Sequence, residues 1–257
     1  MSDNLIEIIE HENARWSKIF KVELEKNESK FFSSYWWEEY YLELTKFVNE
    51  LLAKNGFGSV LEAGSGSGKG TLLLNQIFKK TLLDISTVAL DYAKYLKDKF
   101  KVINVEFVEG NIFTLPFADG LYNFVWNIGV IEHYKLSEIK SIIKEMVRVS
   151  SKPGIVAVAM PNFYSGPIMK AWLLKFFNFI PGYKLDTEHF YKITQIQNIF
   201  RQISNEAGRK IVSIDVRYFG NPLIMETPEI LLRTVGRIIS KFFKRNKFLI
   251  LIICKFE

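Results

Sequence analysis

The chain has 257 residues, of which 48% are hydrophobic and 22 are Phe, so it can bury the core of one α/β domain with additions but not two equal domains. A net charge of +6 permits contact with nucleic acid or an anionic membrane without requiring either. The single cysteine, Cys254, excludes an internal disulfide and a zinc site built on several thiolates. We expect a cytoplasmic protein, because no signal peptide is recognisable and the apolar runs are too short to span a bilayer.

Two helices are predicted before the first strand, within residues 1–55. The first has an apolar side that includes Trp16 and Phe20 among charged residues. The second begins near Ser34, where a serine can cap it, and continues with apolar residues at helical spacing. The aromatic residues at its start pack on a sheet in the simplest interpretation.

The most informative stretch is an apolar run, residues 60–63, followed by glycines at every second position. Gly64, Gly66 and Gly68 are followed by a new apolar segment, residues 72–78. This order predicts a buried strand, a tight turn and a helix that continues to Phe78. Glycines let such a turn adopt positive φ, and the unpaired N–H groups of the helix that follows point at a ligand.

Three binding patterns compete for this turn. A phosphate-binding P-loop would need Gly where Ala63 stands and Ser or Thr where Gly70 stands. A dinucleotide turn would need a third glycine where the chain has Lys69. The pattern E-x-G-x-G-x-G is matched at every position from Glu62 to Gly68. A carboxylate at the strand end would repel a pyrophosphate, whereas it suits a ligand that carries an ammonium or sulfonium group.

With these residues the sequence resembles the class I S-adenosylmethionine-dependent methyltransferases, within them the UbiE-like, methyltransferase type 11 group, from about Gly58 to the end of the chain. The resemblance implies a Rossmann-like α/β fold: a mainly parallel seven-stranded sheet with helices on both faces and an antiparallel last strand between strands five and six. It implies S-adenosylmethionine as cofactor and S-adenosylhomocysteine as product. Because N-terminal helices form lids in that family, an aromatic residue among Tyr35, Trp36 and Trp37 is expected to cover the cofactor.

The resemblance also assigns cofactor-binding residues. Asp84 ends the second strand 20 positions after Gly64, where a carboxylate can hold a ribose diol, although it could also serve as a helix cap. Asn111 stands where the family usually has an Asp that contacts adenine, and an amide oxygen can make the same hydrogen bond. The predicted cofactor-binding residues are Glu62, Gly64, Ser65, Gly66, Asp84, Ile85, Asn111, Ile112, Asn127 and Ile128.

Three further segments follow the family's order: Thr114–Phe117, Ile131–His133 and Val147–Gly154 resemble its L-P-F, I-E-H and R-V-L-K-P-G segments. The second of these lies at the exit of the fourth strand, which faces the transferable methyl group in that family. We therefore predict His133 as a general base, with a structural histidine as the alternative. His189 is the second candidate for this role.

An apolar insertion at residues 161–193 follows the fifth strand, at the sheet edge where ligands bind in such folds. We predict a cap that lines the acceptor pocket, with a satellite core against the N-terminal helices as the alternative. The predicted substrate-binding residues are Tyr35, Trp36, Tyr134, Phe163, Trp172 and Phe190.

A second inserted segment, residues 221–247, combines an apolar helical stripe with a basic one. Through residues 230–247 it could lie on an anionic membrane, contact phosphates, or pack on its own domain. The two stripes are Leu231, Val235, Ile238 and Phe242, and Arg233, Arg237, Lys241 and Lys244.

The sequence thus predicts a methyltransferase domain, residues 56–257, that acts on a small, partly apolar acceptor. No Asn-Pro-Pro-Tyr-type segment follows the fourth strand and no RNA-binding module is appended, so nucleic acid is not the expected partner. No metal site is predicted, and the oligomeric state stays open. An RNA methyltransferase and a non-catalytic cofactor-binding scaffold are the alternatives.

Overall fold

The computed structural model describes residues 3–25, 34–176, 185 and 187–257. Its centre is a seven-stranded sheet in the order β3-β2-β1-β4-β5-β7-β6. Strands β1 to β5 pair in parallel, whereas β7 lies antiparallel between β5 and β6. This confirms the predicted Rossmann-like sheet with its reversed last strand. The strands are β1 Ser59–Ala63, β2 Lys79–Asp84, β3 Val105–Glu109, β4 Tyr122–Ile128, β5 Ser150–Pro161, β6 Ile211–Phe219 and β7 Leu249–Phe256.

Helices surround this sheet and extend beyond it at the N-terminus and after β5. They are α1 Asp3–Glu25, α2 Tyr35–Lys54, α3 Lys69–Leu72, α4 Thr87–Lys99, α5 Leu136–Val149, α6 Gly166–Leu174 and α7 Ile193–Ala207. A continuous helical segment follows β6 and consists of α8 Glu229–Leu231, a π-helical turn Leu232–Gly236 and α9 Arg237–Phe242. Single 3₁₀ turns form at Ile131–His133 and Lys244–Asn246.

Both faces of the sheet are buried, which explains why its central strands are apolar along their whole length. On one face, Tyr122 and Val125 of β4 pack in a cluster with residues of α5 and α7. On the other face, Phe124 and Trp126 pack with residues of α2. The side-chain alternation of one strand thus supplies two core layers, and the carboxyl ends of β1, β2 and β4 meet at one edge between them.

Two helix boundaries differ from the sequence prediction. The helix after the glycine turn ends at Leu72 instead of Phe78, because Asn75 forms a turn there: its backbone N–H donates to Asn49 Oδ1 at 2.9 Å and its Oδ1 accepts from Ile77 N at 3.2 Å. The sequence also predicts that Ser137 caps the helix after β4, but helix α5 begins after Lys135, whose N–H donates to Glu138 Oε2 at 2.7 Å.

The insertion after β5 is described in part. Helix α6 and residues 185 and 187–193 belong to it, while residues 177–184 and 186, which the cap prediction includes, lie outside the described residues. Helix α6 is tied to the segment after β6, because Gly166 N donates to Pro222 O at 2.9 Å. Among the described residues, no helix is both long enough and apolar enough to cross a membrane.

Candidate active site

The glycine turn connects β1 to α3 and is held against β2 by its own backbone. Gly64 N and Ser65 N both donate to Leu83 O, at 2.8 and 2.9 Å. Gly66 has φ +51°, and a Cβ there would lie 2.9 Å from Phe20 Cζ; Gly68 has φ +61°, and a Cβ there would lie 2.3 Å from Leu82 Cδ1. Only glycine satisfies both the positive φ and the close approach at these positions.

Asp84, at the end of β2, holds this turn in place. Its Oδ2 accepts a hydrogen bond from Gly66 N at 2.7 Å, and its Oδ1 accepts one from Ser86 N at 2.9 Å. Burial raises the pKa of Asp84, while these backbone donors oppose the shift. The helix cap is provided by Ser86, whose Oγ accepts from Ala89 N at 3.2 Å. Asp84 therefore holds the glycine turn in place, and Ser86 caps α4.

Glu62, the acidic residue before the glycines, is a buried carboxyl with an unsatisfied oxygen. It is 3% exposed, and no residue in the described part of the chain hydrogen-bonds to its Oε2. Burial raises its pKa to about 8, although hydrogen bonds from the side chain and backbone of Thr71 oppose the shift. Thr71 Oγ1 also accepts from Trp126 Nε1 at 2.8 Å, so β4 helps to fix the position of this carboxyl.

A second buried carboxyl, Glu132, follows β4. Its Oε1 lies 3.6 Å from the point where a Cβ on Gly129 would stand, and its Oε2 has no partner among the described residues. Burial raises its pKa to about 8, with a contribution from Glu188 in the same direction and an opposing one from Arg15. Burial raises the pKa of Tyr40, and Tyr41, Glu62 and Glu132 shift it in the same direction.

A cavity of about 180 Å³ lies above these strand ends. Eight of the ten predicted cofactor-binding residues line it, as do His133 and Tyr134; the two exceptions, Glu62 and Asn127, are buried beside it. The lining consists of Trp16, Phe20, Gly64, Ser65, Gly66, Ser67, Asp84, Ile85, Asn111, Ile112, Phe113, Ile128, Gly129, Val130, His133 and Tyr134.

The aromatic cover of this cavity comes from α1, whereas the sequence prediction placed it at the start of α2. The Phe20 ring packs on Gly66 and, with its centroid 5.9 Å away, on Tyr92 of α4. Trp16 meets the His133 ring edge-on at 5.5 Å. Ser17 Oγ and Ser86 Oγ are 2.7 Å apart and join α1 to the start of α4. The first helix therefore closes over the cavity.

The aromatic residues of α2 serve another purpose. Trp36 is fully buried against the sheet, and its Nε1 donates to Leu223 O at 2.9 Å. The Tyr35 ring lies 3.9 Å below the guanidinium of Arg233. Neither residue lines the cavity, so the structure does not support their predicted substrate-binding role. Packing and binding aromatics look alike in a helical stripe, so the sequence alone does not distinguish the two roles.

His133 is held by two residues that are distant in sequence. Its Nδ1 lies 2.7 Å from Thr187 Oγ1 and 3.3 Å from Arg15 Nη1, and Arg15 also donates to Thr187 Oγ1 at 2.8 Å. A guanidinium only donates, so the consistent assignment has Thr187 accepting from Arg15 and donating to Nδ1. Nδ1 is then an acceptor, and the proton of the neutral imidazole is on Nε2.

The other predicted residues fall into two groups. Asn111 lines the cavity, and its Oδ1 accepts from Phe113 N at 2.9 Å, which shapes the loop after β3. The His189 side chain is exposed and does not line the cavity; the residue contributes its backbone N–H, which donates to Glu132 O at 2.6 Å. Phe163, Trp172 and Phe190 form an aromatic cluster outside the cavity, with ring centroids 4.2 Å apart for Phe163–Phe190 and 6.4 Å apart for Phe163–Trp172.

Unpaired buried polar atoms concentrate at this edge of the sheet. In the described residues they include Glu62 Oε2, Ser65 Oγ, Glu132 Oε2 and both amide atoms of the fully buried Asn127. Such atoms are costly unless a ligand or water pairs with them. Two carboxyl groups match the ammonium and sulfonium centres of S-adenosylmethionine, and the Asn127 amide can pair with its carboxylate. The residues present therefore fit this cofactor.

The comparison with protein families agrees with this geometry. Residues 61–158 match a family described as methyltransferase domain, a range that runs from β1 to within β5 and contains the glycine turn, Asp84 and His133. Residues 61–158 are therefore similar to methyltransferase domains, and this similarity supports S-adenosylmethionine as the cofactor.

Individual relatives are distant. A protein of Staphylococcus carnosus described as an uncharacterized methyltransferase is 26% identical over 190 residues, which cover 71% of this chain and 86% of the relative. The magnesium protoporphyrin IX methyltransferase of Synechocystis, solved with S-adenosylhomocysteine bound, superposes with a TM-score of 0.61 at 14% identity, covering 96% of this chain and 99% of that one. A possible histamine N-methyltransferase of Thermotoga maritima gives a TM-score of 0.55 at 17% identity, covering 86% and 91%. The two solved structures share the fold.

Sequence reasoning missed five contributors to the site. Glu132 was recognised only as part of a motif, although its place between an apolar residue and His133 was a signal. Trp16 and Phe20 were seen as an apolar helix side, and their i, i+4 spacing was the available hint. For Thr187 and Arg15 the sequence offers no such signal, because they lie 54 and 118 positions from His133.

Proposed function

We propose that this methyltransferase transfers the methyl group of S-adenosylmethionine to a small, partly apolar acceptor by in-line displacement in the cavity above β1, β2 and β4. The observation that carries the proposal is the set of unpaired buried polar atoms of Glu62, Asn127 and Glu132 beside the glycine turn. Buried carboxyl groups with an unpaired oxygen are unfavourable in a folded protein, and a ligand with two cationic centres would pair with both.

When bound, the cofactor supplies a methyl group on a positively charged sulfur with a neutral thioether as leaving group. The chain's residues then have to hold and orient it. Glu62 and Glu132 would face its cationic centres, and Asp84 would accept from the ribose hydroxyls while it keeps the glycine turn in place. Asn111 and Ile112 would flank the adenine at the exit of β3. Alignment of this kind can contribute roughly 7–11 kcal/mol by removing translational and rotational freedom beforehand.

The acceptor would bind between α1 and the last part of the cap, residues 187–190. Trp16 and Tyr134 give the cavity apolar walls, and His133 is the polar group between them. Residues 187–190 dock on this wall through the hydrogen bond from His189 N to Glu132 O and carry Phe190 to Phe163. An acceptor with one polar reacting group and an apolar body would suit this combination.

The hydrogen bonds of His133 favour a donor role over the general-base role expected from sequence. Thr187 and Arg15 both point at Nδ1, so the imidazole would present Nε2–H to the acceptor and orient its polar atom. A general base needs a free lone pair on a ring nitrogen, but in this tautomer the lone pair of Nδ1 accepts from Thr187 and Nε2 carries the proton. The reacting group would then be a nucleophile that is already basic or ionised at neutral pH.

Transfer of labelled methyl groups tests the function. The purified protein is incubated with methyl-labelled S-adenosylmethionine and a cell extract that has been separated into an organic-soluble fraction, an aqueous small-molecule fraction and RNA. We expect label in the organic-soluble fraction, and much less label with a Glu62→Gln variant when the cofactor concentration is below saturation. Label in RNA alone would overturn the assignment of the acceptor class.

Paired substitutions at His133 test its role once a labelled product is identified. Gln keeps an N–H donor at a similar position and cannot act as a base, so His133→Gln should retain turnover within about tenfold, whereas His133→Ala should lose roughly 100-fold. Equal losses in both variants, with unchanged cofactor binding, would show that His133 is a base.

A further inference from the structure

Large hydrophobic side chains are exposed in an unusual concentration on one part of the surface. Of the 22 large hydrophobics that are exposed among the described residues, 12 lie in two short spans, residues 164–176 and 224–243. Phe242 is 81% exposed, Ile230 72%, Tyr164 70% and Phe176 66%. Scattered exposed hydrophobics are ordinary, but a concentration of this kind marks a surface that binds something.

The two spans are neighbours in the fold and form one surface, which we call the cap–helix surface. Asn246 Nδ2 donates to Tyr164 O at 2.9 Å, and Lys170 Nζ pairs with Glu226 Oε1 at 2.5 Å. Asn162 Nδ2 donates to both Arg245 O and Lys247 O, each at 2.8 Å. Hydrogen bonds thus fix the loop before α6 and helix α6 itself against the chain on either side of the helical segment Glu229–Phe242.

This helical segment makes little contact with the protein body. Only Leu232 and Gly236 are buried between residues 229 and 242, while Ile230, Leu231 and Phe242 are exposed. The other outcome foreseen from sequence, a helix that packs on its own domain, would have buried its apolar stripe. The structure instead leaves the apolar stripe in contact with solvent.

The same surface carries most of the protein's excess positive charge. Residues 229–247 contain six basic side chains and one acidic side chain, a net charge of +5 in a chain whose total is +6. Glu229 is paired with Arg233, and Lys247 is paired with Glu43 of α2. Arg237, Lys241 and Lys244 are exposed on the segment that bears the unburied hydrophobics.

We propose that the cap–helix surface binds the protein peripherally to an anionic lipid bilayer. Exposed aliphatic and aromatic side chains beside lysines and arginines are the composition of a helix that lies in the membrane interface, with its apolar groups below the headgroups and its charges among them. A second copy of the chain is disfavoured as the occupant, because it would bring two +5 surfaces together. RNA is disfavoured because seven of the twelve exposed hydrophobics of this surface are Ile, Leu, Val or Met, which offer no stacking surface for bases.

Co-sedimentation with vesicles tests this proposal without any measurement of activity, so it can fail separately from the proposed function. The full chain is mixed with vesicles of phosphatidylcholine containing about one third phosphatidylglycerol, and with pure phosphatidylcholine vesicles. We expect binding to the anionic vesicles, weakened by added salt, and little binding to the neutral ones. Equal binding to both, or to neither, would overturn the proposal.

Matched variants locate the surface. Phe242→Ser/Phe243→Ser and Arg237→Glu/Lys241→Glu should each lower the partition coefficient for anionic vesicles roughly tenfold or more. Ile77→Ser/Leu42→Ser and Lys46→Glu/Lys144→Glu make the same kinds of change at exposed positions elsewhere and should leave it unchanged. All of these side chains are exposed, so thermal midpoints should agree with wild type. Two results would refute the bilayer as partner. The first is a wild-type dimer that Phe242→Ser/Phe243→Ser converts to a monomer. The second is a wild-type protein that binds tRNA but not vesicles, with tRNA binding lost in Arg237→Glu/Lys241→Glu.

Discussion

The two sides of the cavity are built by different means. On the cofactor side, formed by the glycine turn, Asp84 and the ends of β1 to β3, backbone groups make the structure: Gly64 N and Ser65 N bind Leu83 O, and Gly66 N binds Asp84. On the acceptor side, where we propose that the acceptor binds, side-chain packing makes the structure: Trp16 meets the His133 ring edge-on, and Phe190 packs on Phe163 just outside the cavity. The backbone bond from His189 N to Glu132 O holds residues 187–190 beside this wall.

We expect this difference to separate the features that related enzymes share from those that are particular to this chain. A site formed by backbone groups suits a ligand that is the same in every reaction cycle, because strands and positive-φ turns fix the positions of the binding groups. Side chains on an insertion can be replaced without disturbing the sheet, so acceptor choice and surface attachment can vary there. We expect substitutions on the cofactor side to affect both stability and cofactor binding, and substitutions on the acceptor side to affect neither.

The largest effect is expected for Asp84→Ala. The substitution leaves Gly66 N and Ser86 N without their acceptors, which lie 2.7 and 2.9 Å away in the wild type. Unpaired buried donors should lower the free energy of unfolding by about 2–5 kcal/mol, and cofactor affinity should fall at least about 100-fold. Chemical denaturation and calorimetry with S-adenosylhomocysteine measure the two losses. Asp91→Ala, which removes an exposed carboxylate paired with Lys94, is the control and should change neither quantity.

Glu62→Gln should separate stability from binding. Burial raises the pKa of Glu62 to about 8 from an ordinary 4.5. A group whose folded-state pKa is raised in this way favours folding below about pH 4.5, and the cost of ionising it grows as the pH rises to about 8. The variant avoids that cost, so at pH 8.5 its thermal midpoint without cofactor should exceed that of wild type by ~3–6 °C, and the gain should shrink towards pH 5.

The same variant should bind cofactor roughly 10- to 100-fold more weakly, because a charge-assisted hydrogen bond to the ligand is lost. At pH 7 the wild-type carboxyl must release its proton to face a cation. Calorimetry in buffers of different ionisation enthalpy should therefore detect more proton release from wild type than from the variant. Glu50→Gln, on the exposed side of α2, should behave as wild type. Unchanged affinity in Glu62→Gln would remove this carboxyl from the binding site.

The cofactor side was predictable from sequence because its requirements fall on single positions. Positive φ with no room for a Cβ permits only glycine, so Gly66 and Gly68 appear in the sequence as a pattern. The sheet order followed from the succession of strands and the resemblance that the motifs carried. The short helix α3 was mispredicted because its end depends on Asn75 contacting Asn49 of α2, a contact between separate elements.

The acceptor side was less predictable, because its geometry depends on long-range partners. Either N-terminal helix had the aromatic residues for a lid, and only the packing of Phe20 on Gly66 and Tyr92 identifies α1 as the one that covers the cavity. The tautomer of His133 follows from Thr187 and Arg15, which belong to two other segments. A sequence pattern reports the spacing within an element, and it does not report which elements meet.

The smallest effects should come from single aromatic residues, and comparing one from each side tests the division most directly. Phe20→Ala removes the ring that lies on Gly66, so S-adenosylhomocysteine should dissociate faster and its Kd should rise about 3- to 10-fold. The acceptor KM of this variant should be unchanged when the cofactor is saturating. Phe190→Ala removes a ring that stacks on Phe163 outside the cavity and should leave the cofactor Kd unchanged while acceptor KM rises. Stopped-flow dissociation and steady-state kinetics at saturating cofactor distinguish the two. If Phe190→Ala weakened cofactor binding as much as Phe20→Ala, the cap and helix α1 would both contribute to cofactor binding. Acceptor choice could then not vary independently of the cofactor site.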